Sequence, residues 1–209
     1  MTFDIIVAYY NNENFYKLLN LFDSHNFDYK AIIYNKSSNE LHIEMDVKIS
    51  NFNLNNIGRE SETYLNHIIK NYDNLAEYTL FIQDDTNNHI NNYNNFIEFC
   101  KKVINDKIQF QLYPCSWREN GYINTRTINN GICDLHTLAS NNSIKKCCED
   151  NDIYLPEQYT TFTCAFFICH KNIILKHKKD FYIKLRNWLL TDEKNGFVLE
   201  HIWKILFCI

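Results

Sequence analysis

Glycine and proline are scarce in this sequence, with four glycines and two prolines among 209 residues. No GxxxxGK[ST] loop is present, which excludes the commonest class of triphosphate-hydrolysing enzyme. No proline- or serine-rich linker divides the sequence, and no internal repeat is found in it. The length of 209 residues and the mass of 25.1 kDa therefore predict one domain, residues 1–209.

Zinc motifs, excess positive charge and long apolar runs are also missing. The eight cysteines form no CxxC pair, so we expect reduced thiols in a cytoplasmic protein, or in the host cytoplasm if the protein is viral. The segment MTFDIIVAYY lacks the basic region of a signal peptide. The formal net charge of -4 provides no basic surface for nucleic acid. No run approaches the roughly 20 apolar residues of a membrane-spanning helix. We therefore expect neither a nucleic-acid partner nor a membrane span.

The sequence does contain alternating patterns of buried strand and amphipathic helix. Apolar runs at Asp4–Tyr10, Lys30–Asn35 and Tyr78–Ile82 have the length of strands that are buried on both faces. Apolar residues at helical spacing occupy Asn14–Phe22 and Ser61–Tyr72. The order strand, helix, strand predicts an α/β fold, with a mixed, mainly parallel, Rossmann-like sheet flanked by helices.

The rest of the sequence carries weaker patterns of the same kind. The stretch from Cys115 to Asp152 has little periodicity and is predicted to be rich in loops. The other predicted elements are strands at Leu41–Ile49, Ile108–Tyr113 and Phe162–His170, and helices at Asn95–Ile104, within Asn172–Leu190 and at Phe197–Phe207.

Polar residues stand where two of the predicted strands end. Asn11 follows the first strand, and Gln83, Asp84 and Asp85 follow the strand at Tyr78–Ile82. In open α/β sheets, ligands bind outside the carboxyl ends of the strands. Adjacent carboxylates repel each other and are costly to bury without a cation, and Mg²⁺ or Mn²⁺ takes both carboxylate oxygens and substrate phosphates. The alternative is an ordinary polar turn, for which Asp-Asp-Thr-Asn-Asn is a suitable composition.

The segment NIGRES, Asn56–Ser61, precedes a predicted helix and contains one of the few glycines. Gly58 permits a positive φ or a close approach of the backbone to a ligand. Arg59 carries a planar fork suited to a diphosphate, and the N–H groups at a helix N-terminus favour phosphate. The alternative is a turn and helix cap, with Arg59 paired to a surface carboxylate.

Three blocks of the sequence resemble a family of uncharacterised proteins found in fungi, bacteria and large DNA viruses. The blocks are NIGRESETYLNHIIKNYDNLAEYTLFIQ followed by His89, then FYIKLRNWLL, then GFVLEHIWKILF. Members of that family show NxGRE, a tyrosine-leucine helix, a strand ending in F-L-Q and a late ERLW helix. The resemblance covers most of the predicted elements, but it does not imply any particular activity.

The order strand, N-x-G, helix, apolar strand and acidic pair is also similar to nucleotide-sugar glycosyltransferases of the GT-A type. That resemblance implies a GT-A-like domain that moves a sugar from a nucleotide-diphosphate sugar to a hydroxyl of a glycan, protein or small-molecule acceptor. It implies that Mn²⁺ or Mg²⁺ is held by Asp84 and Asp85. It also implies donor-binding residues, with the segment from Tyr9 to Asn11 at the nucleobase and Asn56, Gly58, Arg59, Glu60 and Gln83 near the rest of the donor.

The sequence departs from both patterns at the acidic motif and in the late helix. QDDT replaces DxD, which favours Asp85 over Asp84 as the metal ligand, and Glu200-His201 stands where the family usually has Glu-Arg. Inverting transfer needs a carboxylate that takes the proton of the acceptor hydroxyl, so we expect Glu200 and Asp85 to be catalytic. His201 is a candidate contact to the diphosphate. Trp203 either stacks on a sugar or belongs to the apolar stripe of its helix.

Two other functions are compatible with these residues. A non-catalytic nucleotide- or carbohydrate-binding module on the same fold predicts ligand binding without donor hydrolysis. Another nucleotide-dependent transferase predicts that triphosphates stabilise the protein more than sugar diphosphates do.

Overall fold

Strands and helices alternate along most of the chain. The computed structural model describes residues 2–39, 41, 48–114, 125–129, 132–133, 141–162 and 165–208. The strands are β1 (Phe3–Tyr9), β2 (Lys30–Asn35), β3 (Ile49–Asn53), β4 (Tyr78–Gln83), β5 (Phe110–Leu112), β6 (Thr125–Asn129), β7 (Ile132–Cys133), β8 (Gln158–Phe162) and β9 (Phe167–His170). The α-helices are α1 (Asn14–Ser24), α2 (Arg59–Asn71), α3 (Tyr93–Asn105), α4 (Asn141–Asp150), α5 (Lys171–Ile174), α6 (Lys179–Leu189) and α7 (Asn195–Cys208).

Among the described residues, the main sheet has six strands in the order β3-β2-β1-β4-β9-β5. β1 pairs in parallel with β2 and with β4, and β2 pairs in parallel with β3. β9 is antiparallel to both of its neighbours, β4 and β5. The predicted α/β fold with a mixed, mainly parallel sheet is therefore confirmed. A smaller antiparallel sheet has the order β7-β6-β8.

The two faces of the main sheet are covered by two hydrophobic cores. Because side chains alternate along a strand, Ile5 and Val7 of β1 pack against α1 and α3, whereas Ile6 and Ala8 pack on the side of α2, α6 and α7. All four of these side chains are fully buried. This burial on both faces explains why β1 is a continuous apolar run rather than an alternating one.

The prediction of loops between Cys115 and Asp152 is wrong for the parts that the structure describes. α4 lies in this stretch and buries Ile144, Cys147 and Cys148, which are spaced as one helical stripe. Buried thiols behave as small apolar side chains, so two cysteines complete a stripe that looked too weak for a helix. Of the strand predicted at Leu41–Ile49, residues 42–47 lie outside the described part, and β3 begins at Ile49.

Within the described residues, no helix is both long enough and apolar enough to cross a membrane.

His67 is a fully buried histidine on α2. Its Nδ1 lies 3.2 Å from the hydroxyl of Tyr34 and 3.2 Å from the side-chain nitrogen of Asn71. An amide NH₂ can only donate, so Nδ1 accepts and the neutral ring carries its proton on Nε2. Burial, with a smaller contribution from Lys30, lowers the pKa of His67 to about 3 from 6.5. The folded protein therefore keeps this ring neutral in mild acid.

His67 should make the protein less stable as the pH falls below 6.5. The unfolded chain takes up a proton at this ring near pH 6.5, whereas the folded protein takes it up only near pH 3. The stability contributed by the neutral ring is therefore fully present above pH 6.5 and is lost as the pH falls from 6.5 toward 3. The free energy of unfolding should fall by on the order of 1.4 kcal/mol per pH unit from this group. Urea unfolding of the wild type and of His67→Gln between pH 7 and pH 4 measures the effect. Equal slopes for the two proteins would rule it out.

Candidate functional site

An open cleft of about 490 Å³ lies at the carboxyl ends of β1, β2 and β3. β1 is flanked by β2 on one side and by β4 on the other, so the direction of strand order changes at β1. Such a point, at the carboxyl edge, is where open α/β sheets bind ligands. The cleft is lined by Tyr10, Asn11, Lys36, Ser37, Ser38, Asn39, Leu54, Asn55 and Asn56. Asn11 and Asn56, both expected at a donor nucleotide, therefore share one cleft.

Asp84 holds the loop that follows β1. Its Oδ2 accepts hydrogen bonds from three successive backbone N–H groups, those of Tyr10 at 2.7 Å, Asn11 at 2.9 Å and Asn12 at 2.8 Å. The residue is 3% exposed. Three converging N–H groups form a small anion-binding nest, and here the protein's own carboxylate fills it. Through these three hydrogen bonds, Asp84 fixes the loop that forms one wall of the cleft.

Asp85 has different surroundings from its neighbour. It is half-buried, and its carboxylate accepts from the side-chain amides of Asn12 at 3.2 Å and Asn88 at 2.6 Å. These partners are side-chain amides rather than backbone N–H groups. Carboxylate and amide oxygens are the donor set that Mg²⁺ and Mn²⁺ prefer, and such ions are commonly held by one or two carboxylates together with substrate phosphates. Asp85 fits such an ion, whereas Oδ2 of Asp84 already has three donors.

The described residues contain no ready-made cluster of three or more His, Cys, Asp or Glu side chains for a metal ion. A cation at Asp85 would therefore need its remaining oxygen ligands from substrate and water.

Gly58 begins α2 in a left-handed conformation. Its φ is +65°, and a Cβ atom there would lie 2.8 Å from Cβ of Glu62 and 3.2 Å from Cδ2 of Leu189. The glycine therefore serves a tight turn against α2 and α6, and Arg59 follows with a φ of 55°. Glycine at this position is explained by local packing, whether or not a ligand approaches the backbone.

Arg59 meets Glu200 although 141 positions separate them. One guanidinium nitrogen lies 3.6 Å from Oε1 of Glu200, and Nε lies 3.5 Å from Oε2 of Glu60. The guanidinium also lies over the ring of Phe197, 4.1 Å from its centroid. Because α7 begins at Asn195 with Gly196 against the Arg59 side chain, α2 and α7 approach closely here. Three predicted site residues are thus in one group, which we call the Arg59 cluster (Arg59, Glu60 and Glu200).

Tyr10, which is half-buried after β1, and Tyr64, which is fully buried on α2, both lie within the electrostatic influence of Glu60. Burial, reinforced by the charge of Glu60, raises the pKa of both Tyr10 and Tyr64 above its ordinary value. Glu200 and Asp84 contribute further to the rise at Tyr64. Both phenols therefore stay protonated, and neither hydroxyl has a hydrogen-bond partner within the described residues.

The structure buries Tyr9, His201 and Trp203 and places Gln83 at the end of β4. Tyr9 is 4% exposed and packs edge-on against Phe15 in the core beneath α1, so it is Tyr10 that lines the cleft. His201 is 3% exposed, and Trp203 is fully buried and stacks on Phe207, so the apolar-stripe interpretation of Trp203 holds. Gln83 is half-buried beside Ala8 of β1.

Lys36 is a residue of the cleft that the sequence reasoning missed. It is 2% exposed, and its ammonium donates to the carbonyls of Ile57 and Arg59, both at 2.6 Å, and to Glu62 at 3.0 Å. Burial lowers the pKa of Lys36, with Glu62 acting in the opposite direction. Lys36 directly follows β2, so the search for polar residues at strand ends that selected Asn11 and Asp84 could also have found it.

Lys36 belongs to a buried charge group that ties three parts of the chain together. Glu62, on α2, pairs with Lys36 at 3.0 Å and with Arg186 of α6 at 2.7 Å. The carboxylate is 2% exposed and the lysine side chain 0%, whereas Arg186 is 31% exposed. We call this group the Glu62 triad (Lys36, Glu62 and Arg186). It fixes the turn at Gly58 and therefore the position of Arg59.

The fold defines the chain as an α/β protein, and its cleft lies at the carboxyl ends of β1, β2 and β3. Residues 5–209 match the model of a family described as "Protein of unknown function (DUF3431)", and the chain belongs to that family. No curated protein and no solved structure matches it.

Proposed function

We propose that the protein is a glycosyltransferase that binds a nucleotide-diphosphate sugar in the cleft and transfers the sugar to a hydroxyl group of a glycan, protein or small-molecule acceptor. The observation that carries the proposal is the meeting of Arg59 and Glu200 at 3.6 Å, close to the carboxyl edge of the sheet. The sequence similarity to GT-A enzymes supports it, because that similarity marks Arg59 as donor-binding, and Glu200 is the carboxylate expected as the base.

Arg59 is suited to the donor's diphosphate. Its side chain is 39% exposed, and it carries the planar fork that binds phosphate oxygens in pairs. The Glu62 triad and the left-handed Gly58 hold its backbone in place. Positive charge at this point would stabilise the diphosphate as its bond to the anomeric carbon breaks.

Glu200 is suited to act as the base. It is 12% exposed and oriented by Arg59, so its carboxylate can receive the acceptor's proton while the acceptor oxygen bonds to the anomeric carbon. The bonding electrons of the broken bond leave with the diphosphate. If the enzyme uses a divalent cation, Asp85 would hold it, and the ion would supply Lewis-acid stabilisation of that leaving group.

The first test is donor binding, measured by thermal shift. The ligands are nucleoside diphosphates, nucleotide-diphosphate sugars and nucleoside triphosphates, each with and without Mn²⁺. We expect one nucleotide-diphosphate sugar to raise the melting temperature of the protein. Arg59→Gln should weaken the binding of that ligand by about ten- to a hundred-fold, because a charged hydrogen bond is lost. Stabilisation by triphosphates alone would instead favour another nucleotide-dependent transferase.

The second test separates catalysis from binding. Glu200→Gln should keep donor affinity and lower turnover by about 10²–10⁴-fold, the typical contribution of a general base. Glu193→Gln, on the exposed turn before α7, is the matched control and should keep full turnover. Donor binding with no hydrolysis or transfer in the wild type would replace the proposal with a non-catalytic binding module.

A further inference from the structure

A second pocket of about 490 Å³ lies at the other end of α7 from the Arg59 cluster. α7 begins beside Arg59 at Gly196 and reaches this pocket with Ile205 and Leu206. The pocket also lies near the amino ends of the parallel strands. β9 runs antiparallel to β4, so its last residue, His170, pairs with Tyr78 at the start of β4. α5 follows His170 directly and leads to His177 in the pocket wall. The pocket is therefore separate from the cleft.

One wall of this pocket is apolar and aromatic. The ring of Phe181 stacks on that of His177, with centroids 4.3 Å apart and planes at 19°. Nε2 of His177 lies 3.0 Å from the carbonyl oxygen of Leu206, which fixes the ring pair to α7. Tyr154 lines the pocket and is 69% exposed, the most exposed of the large hydrophobic side chains in the described residues. An aromatic surface held open in this way offers a flat face to a ligand.

The polar groups of the pocket include both donors and acceptors. Lys184 and Asp152 form an ion pair at 2.6 Å, and Asp180 lies in the first turn of α6. The pair is neutral as a unit, so the carboxylate of Asp180 is the remaining charge among these three side chains. Asn151 is 1% exposed and donates its amide to the carbonyl of Cys147 at 2.9 Å. Its Oδ1 has no hydrogen-bond partner within the described residues and is itself buried, so Asn151 forms part of the pocket wall rather than an accessible acceptor.

We propose that this pocket binds a neutral carbohydrate ring. A lysine can only donate and a carboxylate can only accept, so the matching ligand has groups that do both, and hydroxyls have that property. The C–H face of a sugar ring suits the apolar surfaces of Tyr154 and Phe181. A volume of about 490 Å³ is within the range of roughly 300–1,000 Å³ for small-molecule pockets.

Charge distinguishes this ligand from two others. An organic cation would gain from the aromatic rings and from Asp180, but it would compete with Lys184 for the carboxylate of Asp152. A phosphorylated sugar would be attracted by Lys184 and repelled by Asp152 and Asp180. The neutral ring fits all of these groups. Because the pocket is remote from the cleft, the proposal does not depend on the glycosyltransferase activity.

The test is ligand-observed saturation-transfer NMR on the full chain, with glucose, galactose, mannose and N-acetylglucosamine as probes and choline and glucose 6-phosphate as charged comparisons. We expect at least one neutral sugar to bind. Tyr154→Ala and Asp180→Asn should each weaken that binding at least ten-fold, and both side chains are exposed, so the variants should fold.

Two controls assign the signal to the pocket. Leu190→Ala, an exposed apolar residue just after α6 and outside the pocket, should leave binding unchanged. Arg59→Gln should also leave it unchanged, since it changes only the cleft. The proposal is overturned if no neutral sugar binds, if choline or glucose 6-phosphate binds instead, or if binding survives both pocket variants.

Discussion

Glu62→Gln should lower the free energy of unfolding by about 3 kcal/mol, because it leaves the fully buried ammonium of Lys36 without its counter-charge. Lys36 would keep its two backbone carbonyl partners, and Arg186, which is 31% exposed, could turn toward water. The loss is therefore expected at the lower end of the range for a broken buried ion pair. It corresponds to a fall in melting temperature of roughly 6–12 °C for a domain of this size. Urea unfolding and calorimetry measure both quantities.

A surface ion pair provides the matched control. Glu98→Gln removes the partner of Lys101 on α3, where the two charged groups are 2.8 Å apart but 65% and 34% exposed. We expect this change to cost less than about 1 kcal/mol, since water and salt screen exposed pairs. Equal effects of the two substitutions would show that the burial of the Glu62 triad contributes nothing to stability.

The substitution Glu62→Gln should also reach the candidate site. Lys36 is the donor that holds the carbonyls of Ile57 and Arg59, so a shift of its ammonium moves the turn that carries the Arg59 side chain. We expect weaker donor binding at temperatures well below the melting point of the variant. Unchanged affinity would mean that Arg59 is positioned by Gly58 and Glu200 alone.

Asp84→Ala should free the loop that follows β1. The substitution leaves three backbone N–H groups without the acceptor that they share. Charge-assisted hydrogen bonds contribute about 1.5–3 kcal/mol each, but exposed N–H groups can turn to water, so we expect a total loss of about 3 kcal/mol. Hydrogen exchange of the amides of residues 10–12 should accelerate by at least ten-fold, which mass spectrometry can measure.

Added formate should reverse part of this loss. The variant keeps the three N–H groups that formed the nest, and a small carboxylate can occupy the position that Oδ2 of Asp84 has left. We expect formate to raise the melting temperature of Asp84→Ala but not that of the wild type. Chloride at the same ionic strength is the control for a general salt effect.

Asp85→Ala separates the roles of the two adjacent aspartates. Its partners are the side-chain amides of Asn12 and Asn88, so its loss should change stability by less than about 1 kcal/mol. Under the proposed function it should remove any Mn²⁺ dependence of donor binding. If Asp84→Ala left residues 10–12 protected, or if Asp85→Ala destabilised the protein more, the structural assignment of Asp84 would be wrong.

The strands were predictable because burial on two faces leaves a direct mark on the sequence. β1, β2 and β4 are uninterrupted apolar runs, and each lies where its run predicts. The direction of β9 was not predictable, because a short apolar run looks the same whether its neighbours are parallel or antiparallel. α4 was missed because its buried stripe depends on two cysteines rather than on large aliphatic residues.

The candidate site was predictable in part, for a related reason. The rule for strand ends located Asn11 and Asp84 correctly at the edge of the sheet, but it could not decide which of Tyr9 and Tyr10 faces the cleft. Consecutive strand residues point to opposite faces, so only one of the two can do so. Glu62 and Lys36 are indistinguishable in sequence from surface charges, because their burial results from contacts between α2 and distant segments.

The position of β9 in the sheet affects how the chain folds during its synthesis. β9 comes late in the chain, yet it fills the position between β4 and β5. As the chain leaves the ribosome, β4 and β5 are complete well before β9 exists, so β4 has one unpaired edge and β5 has none of its partners in the described sheet. Unpaired strand edges are where nascent chains mispair or aggregate. We therefore expect chaperone binding to the nascent chain to end once β9 has left the ribosome and paired with β4 and β5.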